Sequence, residues 1–315
     1  KWGKRILYLI VALPFAIAGA QSIHWLFTQL GQYRMVPLAL AGLVVGGYAA
    51  QGFLPALSSH FSPREVYDTY NQLAAEDEPL GEFQVGRRAA AYYATGEVEE
   101  FATQPQLIEF LGQEGRRWAV FPTDELASVN RAFRQRTDRH LFVADARSSR
   151  VVLASNQAVE DWEDQNFVAE AVLDELPKPP DFMVNANFDN KIELVGYDLE
   201  LPHEGYVGAG ESFTVVWYYR VLSRVPGSYK VFLHVDGQGL RLNGDHDPVD
   251  GRYPVRLWDE GDIVVDRQPL DVPGNYRPGA YTFFIGFYSG SSRLTVTEGN
   301  QDGDNRVRAG IVRIR

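Results

Sequence analysis

The sequence predicts a membrane-anchored α+β protein: a two-helix transmembrane hairpin, a small α/β domain and a C-terminal antiparallel β-sandwich. Three observations predict it. Two uncharged apolar runs crowd into the first fifth of the 315-residue chain. Short apolar runs then alternate with helical patterns. From about residue 183 the pattern becomes period-two, broken by Pro-Gly and Asn-Gly turns.

The runs 6–30 and 35–57 each have about the 20 residues that a membrane crossing needs, and neither contains Asp, Glu, Lys or Arg. The short spacer Gly31-Gln32-Tyr33-Arg34 makes the two expected helices antiparallel neighbours. Trp25, Tyr33 and Tyr48 supply rings near the expected interfaces. Gly42, Gly46 and Gly47 form a small-residue face suited to packing against other membrane helices. A cleaved signal peptide beginning at Lys4-Arg5 is the competing reading of the first run, and the second run argues against it. His24 reads either as an intramembrane proton or ligand site or as a neutral ring near the interface. Lys1, Lys4 and Arg5 against Arg34 place both ends in the cytoplasm by charge alone. Residues 1–58 are thus assigned to two transmembrane helices in a lipid bilayer.

Residues 59–156 read as the α/β domain. Ser62-Pro63-Arg64-Glu65 has the cap, first-turn proline and acidic residue of a helix start. Strands are expected at 82–85, 118–121, 140–144 and 151–154, and helices at 106–113 and 124–136. In the second helix Leu126, Val129, Ala132 and Phe133 share one face. Strands alternating with helices imply βαβ units and a partly parallel sheet. Residues 157–182 are acidic and then proline-rich, and read as a linker closed by Pro177, Pro179 and Pro180. Residues 183–315 carry seven or eight short alternating strands, as a β-sandwich does.

The net charge of −11 argues against a nucleic-acid partner, because phosphate binding needs a basic face. No cysteine is present, which removes disulfides, thiolate metal sites and cysteine nucleophiles. No phosphate loop, nucleophile elbow, zinc helix or dinucleotide fingerprint occurs, and no catalytic residue is assigned. Asp245, Asp247 and Asp250 alternate like the opening of a calcium loop, without its sixth-position glycine and twelfth-position glutamate. Calcium and a solvated Asx-rich turn are the two readings of that cluster. Trp217, Tyr219, Tyr253 and Trp258 are candidates for glycan or partner contact, with burial in the core as the competing role.

The segments SPREVYDTYNQLAAEDEPLGEF, AAYYATGEVEEF and QLIEFLGQEGRRWAVFPTDEL, with the ending VVLASN, resemble the C-terminal region of bacterial polytopic membrane glycosyltransferases. These are the enzymes similar to protein O-mannosyltransferases and lipid A aminoarabinose transferases. Asp247-Pro248, Tyr253-Pro254, Trp258, Gly261-Asp262, Asp266, Pro278-Gly279-Ala280-Tyr281 and Gly286-Phe287-Tyr288 resemble a β-sandwich appended to some of them. The resemblance implies a bacterial inner-membrane location with the soluble domains in the periplasm, against the charge count. It also implies that the acidic catalytic loop lies in a longer membrane domain that this sequence lacks. The chain then reads as a C-terminal piece, a split subunit or a degenerate relative. Its expected role is a non-catalytic module binding glycan or a partner protein, or alternatively an accessory subunit of a larger membrane complex.

Overall fold

The computed structural model describes residues 15–25, 28, 35–55, 57, 62–86, 88–95 and 98–315. The chain divides into two units, Lys1–Pro63 and Arg64–Arg315.

In the first unit, residues 15–25 are helical and α1 spans Met35–Tyr48. The expected transmembrane hairpin is not found. Among the described residues no helix is long and apolar enough to cross a membrane. The 14 residues of α1 rise about 21 Å, short of a hydrocarbon core of about 30 Å. The α-helical ladder stops at Tyr48, where the backbone widens into a π-helical turn over Ala49–Phe53. Hydropathy reads 35–57 as one uninterrupted helix because the turn itself, AAQGF, carries no charge. Much of the run 6–30 lies outside the described residues. Gly42, Gly46 and Gly47 sit in α1, and a Cβ on any of them would meet nothing within 4 Å. They are not seated against a neighbouring helix among the described residues.

The second unit is an α+β fold with three sheets. Its first part comprises α2 (Arg64–Leu73), β1 (Leu80–Phe83), α3 (Arg88–Tyr93), β2 (Val98–Phe101), α4 (Gln104–Leu111), β3 (Trp118–Pro122), α5 (Leu126–Thr137), β4 (Phe142–Asp145) and β5 (Val151–Ser155). The strands lie in the order β2-β1-β3-β5-β4. β1 pairs in parallel with both β2 and β3, as βαβ connections require, and β5 runs antiparallel to β3 and β4. One sheet face carries Leu80, Trp118, Val120 and Leu153 against Val66, Tyr67 and Tyr70 of α2. The other carries Phe83, Ala119, Phe121 and Val152 beneath α4 and α5. Helix α4 begins on a capping box, in which the Thr103 amide donates to the Gln106 side chain at 3.2 Å. In α5, Leu126, Val129 and Phe133 are buried at the expected helical spacing.

The acidic stretch read as a linker carries α6 (Phe167–Ala171) and β6 (Val172–Leu173). Asn166 caps α6, accepting from the Val168 amide at 3.0 Å, and its own amide donates to Asn130 and to the Leu141 carbonyl. β6 joins an antiparallel sheet, so this stretch docks between the two parts of the unit.

The sandwich that follows is built from β7 (Phe182–Phe188), β8 (Ile192–Glu200), β9 (Ser212–Val221), β10 (Lys230–Gly237), β11 (Leu240–Asn243), β12 (Ile263–Asp271), β13 (Gly279–Ser289), β14 (Ser292–Arg293), β15 (Val296–Glu298) and β16 (Val307–Ile314). One sheet has the order β15-β7-β8-β9-β12-β6; the other is β11-β10-β13-β14, with β16 also on β13. Their inner faces meet in an aromatic core of Tyr197, Trp217, Tyr219, Phe283 and Phe287, continuous with the core under α4 and α5. Between the two parts, Arg131 grips Asp259 with two hydrogen bonds of 2.7 and 2.6 Å, and Arg134 binds Asp262 and Asp174 at 2.9 Å each.

Candidate functional site

A cleft of about 900 Å³ opens where the α/β part meets the sandwich. Its floor begins at the carboxyl end of β3, where open α/β sheets present their ligand crevices. There Pro122 leads through a 3-10 turn, Thr123–Glu125, into α5. The Ser128 hydroxyl donates to the Glu125 carboxylate at 2.7 Å, which fixes that side chain across the first turn. Gln165 holds a second wall: its side chain accepts from the Ala146 amide at 2.9 Å and its backbone amide donates to the Val143 carbonyl. The sandwich closes the opposite side with Tyr229 and with the loop that carries Asp247, Arg252 and Arg256.

That loop is held by a pair between the partly buried His246 imidazole and the buried Asp266 carboxylate. His246 Nε2 lies 2.7 Å from an Asp266 carboxylate oxygen, while Nδ1 lies 2.8 Å from the Gly244 carbonyl. Both ring nitrogens face acceptors, an arrangement that favours the protonated ring, which donates from both. Burial alone would lower its pKa, but the Asp266 carboxylate and the Gly244 carbonyl outweigh it and raise the pKa above the ordinary value. The second Asp266 oxygen accepts from the Val249 amide at 2.8 Å. The three residues that follow Pro248 all have left-handed backbone, with φ of 54° at Val249, 54° at Asp250 and 76° at Gly251. Only the glycine adopts it without strain; a β-branched valine there is an outlier held by its surroundings.

The expected aromatic platform is core. Trp217, Tyr219, Tyr253 and Trp258 are all 0% exposed. Trp258 Nε1 donates to the Tyr253 carbonyl at 3.1 Å, and the Tyr253 hydroxyl donates to the Leu257 carbonyl at 3.0 Å. Alternation put Trp217 and Tyr219 on one face of β9, and that face turns inward because large rings fill the space between sheets. Of the expected calcium ligands, two have close partners within the chain and the third is exposed. Asp245 accepts from the Leu233 amide at 3.1 Å, Asp247 pairs with Lys230 at 2.7 Å, and Asp250 is exposed 3.8 Å from Arg252. Among the described residues no group of three His, Asp or Glu side chains is arranged to hold a metal ion. His246, flanked by acids in sequence, pairs instead with Asp266 on β12.

The residues that do face the cleft come from segments far apart in the chain, and of the candidates drawn from the sequence only Asp247 is among them. Phe167 lies in the stretch taken for a linker, Tyr229 directly precedes β10, and Arg256 lies in a 3-10 turn, Val255–Leu257. A local signal existed at Thr123-Asp124-Glu125, cap-type residues ahead of an apolar helical face, although α5 begins without a side-chain cap.

No protein-family model and no curated protein matches the chain. Among solved structures, the C-terminal domain of wzt is similar at 11% identity, over 43% of this chain and 81% of that one, with a TM-score of 0.32. ArnT from Cupriavidus metallidurans, in the apo state, is similar at 16% identity over 48% of this chain, with a TM-score of 0.28. The chain spans 30% of the length of that ArnT. Nothing in these comparisons bears on the O-mannosyltransferase side of the resemblance drawn from the sequence. At these levels of superposition the two neighbours add no argument about the cleft, which stands on its own geometry.

Proposed function

We propose that this chain is a non-catalytic module that binds a glycan in the cleft between its α/β part and its sandwich. The observation that supports this reading is the lining of the cleft. A saccharide offers apolar ring faces together with hydroxyls that both donate and accept. The cleft provides the ring of Tyr229, the guanidinium of Arg256, and the Thr123 and Ser128 hydroxyls beside Asp124. A binding role is favoured over catalysis by the placement of His246 behind the cleft loop. Both its ring nitrogens are engaged, by the Asp266 carboxylate and the Gly244 carbonyl, and it does not line the cleft. The periplasmic side of the inner membrane, where the sequence resemblance would put the module, is part of this proposal.

The test is a glycan array probed with the full chain, followed by Tyr229→Ala and Arg256→Ala. Each variant is expected to weaken the best-binding glycan about tenfold with an unchanged unfolding midpoint. Binding unaffected by either variant would remove the cleft from the account. A second reading, an accessory subunit of a larger assembly, is favoured by α1, where Leu43, Val44, Val45 and Tyr48 are 67–72% exposed. Stoichiometric co-purification of the full chain with a partner, insensitive to the cleft variants, would support it.

A further inference from the structure

A second pocket of about 300 Å³ adjoins the cleft, bounded by Thr214 of β9, by Val265 and Pro269 of β12, and by Glu170. Phe167 and Arg252 line both spaces. They form the partition between them, with the Arg252 guanidinium lying 4.3 Å above the centre of the Phe167 ring. This contact is weakly held. Arg252 is 53% exposed, and its ion pair with Asp250, itself 72% exposed, is long at 3.8 Å. The backbone behind it is held firmly, because Asp266 anchors Val249 at the head of the left-handed turn. The turn therefore presents an exposed, loosely paired side chain on a fixed base. The ring face that Arg252 covers is the face a sugar would use.

Resting on the glycan reading above, we infer that the cleft and this pocket are two subsites of one groove, and that the ligand is an oligosaccharide rather than a single sugar. Arg252 swings off Phe167 as the chain threads through, and the exposed ring becomes the platform at the junction. The cleft alone is already near the top of the usual range for small-molecule sites, roughly 300–1,000 Å³, so a monosaccharide would leave both compartments largely unfilled.

The test uses the full chain and a size ladder made by partial hydrolysis of the best-binding array glycan, read on a biosensor. For the wild type, affinity should climb with each added sugar and level off once both compartments are filled. Arg252→Ala removes the competitor for the ring and should strengthen binding of the longer oligomers about fivefold, leaving the shortest ones unchanged. Phe167→Leu keeps an apolar side chain and should abolish the dependence on length beyond the cleft. Affinity that does not grow with length, or that neither variant alters, overturns the two-subsite groove while leaving the glycan reading intact. No binding to any array glycan overturns that reading and this inference together.

Discussion

Replacing Asp266 with asparagine isolates the pair that holds the cleft loop. Asp266 is fully buried, 2.7 Å from His246 Nε2 and 2.8 Å from the Val249 amide. Asparagine keeps an acceptor for Val249 but removes the charge that faces the imidazolium, a loss of about 1.5–3 kcal/mol for one charge-assisted hydrogen bond. Alanine also orphans the Val249 amide and the buried cation, and should cost about 3–5 kcal/mol. The pH dependence separates the charge from mere packing. The folded pKa of His246 is raised above its ordinary 6.5, so its contribution is fully present below that value and is lost as pH rises through the folded pKa. His140 and His234 act with the opposite sign: burial lowers both, so their contribution is lost as pH falls. They are the same in both proteins and cancel in the difference. Urea unfolding of the full chain at about pH 5.5 and about pH 8.5 should show a large deficit for the asparagine variant at the lower pH and a smaller one at the higher. A deficit equal at both pH values would refute the imidazolium assignment.

Other outcomes follow from the same packing. Trp217→Ala should cost about 3–5 kcal/mol and lower the unfolding midpoint, because the ring is core; a folded, stable variant that has only lost glycan binding would contradict that placement. Asp259→Ala strips the fork from Arg131 between the two parts and should cost about 1.5–3 kcal/mol in chemical denaturation. Glu82→Gln should stabilise the protein at neutral pH. Burial raises the pKa of that carboxyl and one of its oxygens has no partner, so ionisation is disfavoured in the fold; the gain should vanish in acid, where the carboxyl is protonated in both states.

What the sequence made legible was periodic. The spacing of Leu126, Val129 and Phe133 placed the buried face of α5, and WAVF and VVLA marked β3 and β5 because central strands are apolar on both faces. Val98-Glu99-Glu100-Phe101 gave no such signal. It is an edge strand with two exposed glutamates, and its pairing with β1 supplies what its side chains do not. Aromatic residues on β9 and near Trp258 showed that something large is packed there but not on which side, since a core and a platform have the same composition. The membrane hairpin was inferred from hydropathy, which does not register the π-turn at Ala49–Phe53 that ends α1. The cleft was invisible for a different reason. Its walls come from α5, the segment around Phe167 and the 247–257 loop, and only the tertiary fold brings them together.

The central claim is most directly tested by amide hydrogen exchange on the full chain, with and without the best-binding array glycan. The account predicts protection at 123–128, around Tyr229 and across 247–256, with the outer strands unchanged. Protection confined to the outer face of the sandwich, with those three segments exchanging as in the free protein, would contradict it.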